Sequence, residues 1–557
     1  MHWRRFFPFL LWPRLTFATL RSDAWAGLSV GLVLIPQALA YATLAGMPPQ
    51  MGLYAALLPS VIGALWGSSA LLAVGPVALT SLLTFGSLAP LAVPGSAQWV
   101  TLAIWLALYA GLIQFLLGAL RLGQVATLVS QPVIVGFINA AAIIIVVSQL
   151  PALLGVTFSL QPSLPLSSVV QGGPATPMTA LLGASALLLL LALKRYLPRL
   201  PGILFVSILA ILLSWACNYA AHGGAIVGFI PAGLPSLALP PAINLAQHQA
   251  LWPAALVLAL ISFTEAMSSC RVLAHKTAGR WDENQELIGQ GLAKVGSALC
   301  GAFPVSGSFS RSALNLYAGA VTAWSTLFSA VCVVLSLYFL TQLIAFMPRT
   351  VLAAMIMVPV FSLINLRGLW RLFLIAKDDG LIGGITFVVT LATAPNLQWG
   401  VFTGVGLTLL SFLYRRITPR VIEVGCHEDE TLRDRGRFGL PPIADDVLAI
   451  RIDSALNFLT ASTFERFITD RCRHDRTIKR VLFCAGSVND IDASGVETLI
   501  GLQQTLRRDG IELYMCAVKK QVWDVMLRAK FIPAMGPQRI FATDRQAVAA
   551  MQGVVTI

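Results

Sequence analysis

Two stretches, AVGPVALTSLL (73–83) and FPVSGSFSRSAL (303–314), decide how this chain is read. Each combines a proline, glycine or other small residues, a serine or threonine, and a short apolar run. Each stands where a membrane-crossing helix is expected, yet neither supplies the ~20 apolar residues a crossing needs. Counted along the apolar segments they are the third and the tenth, seven apart. Interrupted segments at matching places in two halves mark the binding site of inverted-repeat transporters.

The composition around them is that of a membrane protein. Of 557 residues, 57% are hydrophobic and 11% charged, and the mean hydropathy is +0.78. Soluble proteins carry about 25% charged residues. The net charge of +13 comes from short Lys/Arg clusters between apolar runs, a pattern of cytoplasmic loops that excludes a nucleic-acid partner. The eight cysteines show no CxxC and no pairing rhythm, so no disulfide frame, metal or cofactor is expected.

Spanning candidates are 98–120, 124–149, 177–193, 201–220, 251–270, 321–347 and 397–414. Shorter or broken runs fall at 70–90, 308–318, 350–364 and 380–394, and the total comes to about fourteen. Arg121, the Lys194–Arg199 cluster, Arg271 to Arg280, Arg367 to Lys377, and Arg415 with Arg416 occupy alternate loops. Arg349 is the exception, and 151–176 and 221–250 hold no Lys or Arg. Both termini are therefore expected in the cytoplasm. The start, MHWRRFFPFLLWPRLTF, reads as a cytoplasmic strap rather than a cleaved signal, because Pro8 and Pro13 break its apolar run.

From about 420 the pattern changes. VLAIRID (447–453), RVLFCAG (480–486) and IELYMCAV (511–518) read as strands; 462–472, 494–510 and 520–531 read as helices. That alternation predicts a small soluble α/β domain. The expected division is 1–22 cytoplasmic segment, 23–417 membrane domain, and 418–557 linker plus α/β domain.

The two interrupted segments suit an anion. A helix that starts at the membrane midplane presents free backbone N–H groups and a partial positive charge. Arg311 adds a full one, and an arginine at that depth is functional by default. Glu265, in LVLALISFTEAMSSC (256–270), is the first carboxylate after Asp23. A buried carboxylate must be paired, hydrated or protonated. It reads either as a fixed partner of Arg311 or as a switch that takes up a proton when a dianion arrives beside it. Gln37 and Tyr41 share a helix face at i, i+4, with Pro36 freeing backbone groups next to them. Thr80 and Ser81 could donate to an anion or to carbonyls of their own helix. Lys294 is expected to snorkel to the cytoplasm. RWDENQE (280–286) is expected to be a solvated helix cap, and His222 and His248 solvated loop residues.

PQALAYATLAGMPPQMGLY (36–54) closely resembles the signature of the sulfate permease (SulP) family, which is related to the prestin-type anion transporters. AVGPVAL and VSGSFSRSALN match two further motifs of that family. NDIDASG (489–495) resembles the hallmark of a STAS domain. The resemblance implies an α-helical polytopic membrane protein of about fourteen segments in a seven-plus-seven inverted repeat, with core and gate domains moving as an elevator, and a cytoplasmic STAS domain. It implies Gln37, Tyr41, Ala78, Ser310 and Arg311 as substrate-binding residues. It also implies Glu265 as the proton carrier, because ISFTEAMSSCR is similar to the T-E-A stretch of plant-type sulfate transporters. Ser494 sits where bacterial signalling relatives of STAS domains are phosphorylated, and it also suits a helix N-cap.

The expected protein is thus no enzyme, since no P-loop, GxSxG or HExxH occurs. Its expected partners are a small anion, sulfate first, together with protons, the lipid of an inner (plasma) membrane and a second copy of itself. Alternatives are a bicarbonate, dicarboxylate or chloride-linked exchanger, and an anion-responsive signalling protein with STAS output.

Overall fold

The computed structural model describes residues 7–12, 16–124, 129–156, 177–197, 201–277, 279, 281–429 and 431–553. Most of the stretch 151–176 read as an outer loop, part of the N-terminal strap, and the loop residues Arg199 and Arg280 lie outside them. The chain divides into two compact units, Met1–Thr408 and Leu409–Ile557.

The first unit is built of apolar helices: α1 (Phe17–Leu44), α2 (Gln50–Trp66), the short α3 (Ala78–Leu88), α4 (Ala97–Ala119), α5 (Gln131–Leu154), α6 (Pro177–Tyr196) and α7 (Gly202–Ala216). Then follow α8 (Leu245–Thr277), α9 (Glu283–Leu299), the short α10 (Phe309–Tyr317), α11 (Trp324–Ile344), α12 (Arg349–Phe361), α13 (Leu366–Ile375) and α14 (Lys377–Ala392), and α15 (Gln398–Ile417) runs on past Thr408 into the second unit. Among the described residues, seven helices are long and apolar enough to cross a membrane. They include α1, which the sequence reading counted ahead of 73–83 without giving it bounds. The reading 201–220 shrinks to the fifteen residues of α7, and 397–414 is helical in α15 without standing among those seven. The Arg367–Lys377 loop contains a helix of its own, α13, with no buried residue and with Arg367 and Arg371 among its apolar side chains.

The two interrupted segments meet. Ala73–Gly75 (β1) and Ser306–Ser308 (β2) pair antiparallel, with Val74 opposite Gly307. The backbone is extended just ahead of Pro76, as a residue before proline prefers. Helix α3 begins three residues after β1, and α10 directly after β2. The two half-helices thus start from one crossing point. Around it α1 and α2 pack closely, and Asp23, fully buried, holds the approach to α11 by accepting from Val321 N at 2.7 Å and Thr322 N at 3.1 Å.

The second unit holds a six-stranded sheet in the order β4-β3-β5-β6-β7-β8: β3 (Val421–Cys426), β4 (Leu432–Asp434), β5 (Val447–Ile452), β6 (Arg480–Cys484), β7 (Glu512–Cys516) and β8 (Ile540–Phe541). β5 to β8 are parallel, and β3 and β4 add an antiparallel edge. Its helices are α16 (Ala461–His474), α17 (Ala493–Arg508), α18 (Lys520–Arg528) and α19 (Asp544–Met551). Phe464, Phe483, Leu499 and Met515 form part of the apolar core between sheet and helices. The three sequence-read strands and three helices are all present; the edge strands were missed because they are short and partly polar.

Candidate functional site

The site is built at the crossing of β1 and β2. α3 opens at Ala78 with no side chain capping it, so its first N–H groups lack an intrahelical partner. Thr80 and Ser81 do not turn outward: both hydroxyls donate to Val77 O, at 3.2 and 2.8 Å. On the other half-helix, Ser308 caps α10 by accepting from Arg311 N.

Arg311 is 1% exposed. Its Nη1 donates to Pro76 O at 2.8 Å, which ties the cation of α10 to the start of α3. Its Nε and Nη2 are buried without a protein partner. The same holds for Gln37 Oε1 on α1 and Glu265 Oε2 on α8. Buried polar atoms are normally satisfied, so orphans gathered at one place mark where a ligand's atoms belong. Gly75, at φ +156°, lets the backbone lie against the guanidinium: a Cβ there would come to 3.3 Å from Arg311 Nη2.

A cavity of about 200 Å³ is lined by Val33, Gln37, Ser310, Arg311 and Leu314 and, across it, by Pro201 to Ile203 at the start of α7; Glu265 is not part of its lining. A second, enclosed pocket of about 10 Å³ lies behind Arg311 against Ser60, Asn315 and Ser329. That suits one water and is too small for an oxyanion, whereas the larger cavity has room for one.

Of the sequence-predicted residues, Gln37, Ser310 and Arg311 line the cavity. Tyr41 is buried one turn beyond Gln37, where the charges of Arg311 and Glu265 both act on it. Ala78 is buried at the tip of α3, outside the cavity lining. Glu265 is partly accessible as a residue and feels the charges of Arg311 and Lys294. The walls from α7 were not anticipated; a proline–glycine pair opening an apolar run was the available signal.

Three expectations within the first unit need correction. Lys294 does not snorkel: it is fully buried and donates from Nζ to Gln114 Oε1 at 2.8 Å. In RWDENQE, Asp282 does cap α9, accepting from Gln285 N, but Glu286 is 1% exposed. It accepts from Ser68 N and Ser69 N, which leaves it no solvated role. His248 is no free loop residue; it lies in α8, hydrogen-bonded to Tyr109 and packed edge-on against Trp105.

In the second unit Asp492, not Ser494, caps α17, accepting from Gly495 N at 2.8 Å. Ser494 is exposed in the first turn. Asp446 of that unit is held below the usual carboxylate range by a two-pronged hydrogen bond from Arg480, at 2.8 and 2.6 Å.

Comparison with known proteins agrees with this architecture. The Sulfate permease family matches residues 20–386 and the STAS domain residues 441–547. "Probable sulfate transporter 4.2" of Arabidopsis thaliana is 31% identical, covering 97% of this chain and 83% of its own length. A probable sulfate transporter of Mycobacterium tuberculosis is 32% identical over 96% of this chain and 95% of its own length. In fold, the murine Solute Carrier 26 family member A9 anion transporter in its inward-facing state matches with a TM-score of 0.88 at 21% identity, over 98% of this chain and 94% of that one. The transmembrane domain of the cyanobacterial bicarbonate transporter BicA matches at 0.60 and 25% identity, over 71% of this chain and 99% of that one. With helical body, paired half-helices and α/β tail all accounted for, the chain belongs to the sulfate permease family and carries a C-terminal STAS domain.

Proposed function

We propose that this chain is a secondary active transporter that takes up a small inorganic anion, sulfate first, together with a proton. The observation that carries the reading is the pair of unpartnered guanidinium atoms, Arg311 Nε and Nη2, buried beside the cavity at the crossing of two helix starts. A guanidinium fork and helix N-termini together favour a compact oxyanion. The naming of its relatives as sulfate transporters puts sulfate first.

Glu265 is the proton carrier in this reading. In the empty site the positive groups Arg311 and Lys294 favour its ionised form against the cost of burial. A dianion bound at Arg311 places a second negative charge nearby and favours the protonated carboxyl. Proton and anion then cross together. Tyr41 and the N–H groups from Ala78 onward complete the polar surroundings.

The movement is an elevator. α1, α3, α8 and α10 form the core that carries the anion, and α7 belongs to the gate it slides along. The cavity wall from Pro201 to Ile203 follows the basic Lys194–Arg199 loop, so the open side is the cytoplasmic one. α3 and α10 stand seven apart in helix order, which supports a seven-plus-seven repeat of about fourteen segments across 23–417. Residues 1–22 and 418–557 then lie in the cytoplasm, the STAS domain supports a homodimer, and Ser494, exposed on it, is a regulatory position. The membrane is the inner (plasma) membrane.

The test is uptake of labelled sulfate into proteoliposomes, with and without an inward proton gradient, and with bicarbonate, chloride, fumarate and oxalate as competitors. Gradient-driven accumulation of sulfate supports the reading. Binding without any turnover would replace it with a receptor whose output is the STAS domain.

A further inference from the structure

Lys294 is a basic side chain in the protein interior that the mechanism above uses only as a neighbour of Glu265. It is 0% exposed. It sits on the face of α9 pressed against α4, where Gly111 has no side chain: a Cβ there would come within 2.9 Å of Lys294 Cβ. Among the described residues the ammonium makes no salt bridge, and its hydrogen-bond partner is the neutral amide of Gln114. Gln114 is itself fixed, donating from Nε2 to Ala259 O at 2.7 Å and Ser262 Oγ at 3.1 Å. Its oxygen is thereby committed to Lys294. Ser262 lies three residues before Glu265 on α8, and its carbonyl accepts from Ser306 Oγ of β2 at 2.8 Å. The ammonium is therefore anchored to the same frame that holds Glu265 and the start of α10.

The charges facing Glu265 can be named element by element. α10 supplies Arg311, α9 supplies Lys294, and α1 supplies Tyr41, a neutral phenol. α4 supplies the neutral Gln114, and α8 itself the hydroxyls of Ser262 and Ser269. Glu286, the other carboxylate on α9, is engaged with Ser68, Ser69 and Gln290. Glu265 is the charge that acts on Lys294. A lone buried ammonium is costly in a membrane, and a mere packing role at this seam would be served better by an apolar side chain.

With the cavity empty, Glu265 ionised and both Lys294 and Arg311 holding their protons, the three groups sum to one positive charge. A monovalent anion cancels it with no proton. A dianion overshoots by one negative charge, which a single proton on Glu265 cancels. We propose that Lys294 sets the valence rule of the site, so that one proton accompanies each dianion and none accompanies a monovalent anion. Without Lys294 the empty site is already neutral. A monovalent anion then draws the proton, and a dianion stays uncompensated even when it does. The proposal rests on the proton-coupled reading of Glu265 and extends it to specificity.

The experiment measures labelled sulfate binding, and its competition by chloride, as a function of pH on the full-length protein in proteoliposomes. Wild type, Lys294→Gln and Lys294→Arg are compared. In wild type, sulfate affinity rises about tenfold per unit fall in pH over the range where the empty site holds Glu265 ionised, while chloride affinity is flat. In Lys294→Gln, sulfate affinity drops on the order of tenfold or more, and chloride affinity becomes pH-dependent. Lys294→Arg restores the wild-type pattern. A structural role alone would lower protein yield without giving chloride affinity a pH slope. If Lys294→Gln keeps both slopes and the sulfate-to-chloride ratio, the valence rule is wrong while the coupling reading stands. If wild-type sulfate affinity is itself flat, the coupling reading fails, and the rule with it. Should Lys294→Gln not fold, the wild-type slopes decide: equal slopes for sulfate and chloride overturn the rule.

Discussion

Arg311 Nη1 donates to Pro76 O at 2.8 Å, so the cation of one half-helix is fastened to the residue that introduces the other. This bond aims the remaining two nitrogens. One nitrogen of the guanidinium is spent on protein, Nε and Nη2 are left without a protein partner, and the residue lines the cavity. The candidate site thus joins two chain segments more than 200 residues apart.

Arg311→Lys tests that arrangement. Lysine keeps the charge but cannot hold Pro76 O and present a two-pronged fork at once. Sulfate affinity is expected to fall about 10- to 100-fold, the loss of one to two charge-assisted hydrogen bonds. Labelled-sulfate binding to the purified variant measures it. An unchanged affinity would show that the fork does not hold the anion.

Gly75→Ala tests the close approach of the backbone. The new Cβ would sit 3.3 Å from Arg311 Nη2, at a φ that L side chains rarely adopt. Transport is expected to fall about tenfold, from a shift of the guanidinium that costs on the order of 1 kcal/mol. Helix content by circular dichroism stays as in wild type. Normal transport would mean that this strand can move without disturbing Arg311.

In the STAS domain, Asp446 gives a pH prediction. Its carboxyl is held low, first by the hydrogen bond from Arg480. A depressed carboxylate contributes stability above its unfolded value, and that stability is lost as pH falls through the folded value. Asp446→Asn should therefore speed amide exchange in β5 and β6 of the full-length protein at neutral pH. After correction for intrinsic rates, the difference from wild type should vanish in acid, below the range where the carboxyl is ionised. A difference that persists there would assign the effect to packing rather than charge.

Much of the site was legible because its chemistry violates its surroundings. A glutamate and an arginine in long apolar stretches, and proline and glycine inside would-be spans, are visible in one sequence without alignment. The pairing of Val74 with Gly307 was not, because no local signal reports a partner more than 200 residues away. Lys294 was misplaced for a related reason. Its run, QELIGQGLAKVGSALCGAF, is moderately apolar, and a lone lysine in such a run is expected to reach for water. What buries it is the facing pair Gly111 and Gly291, which lets α4 and α9 touch backbone to backbone. Capping of α17 moved from Ser494 to Asp492 because both residue types cap well and only backbone geometry chooses between them.

The central claim is that Glu265 carries the proton that accompanies the anion. Its most direct measurement is labelled-sulfate flux by Glu265→Gln in proteoliposomes, once with a pH gradient and once as exchange at equal pH. Glutamine is close in size and cannot release a proton. Exchange should remain measurable while gradient-driven accumulation disappears. Accumulation of sulfate by the variant on a proton gradient would contradict the account.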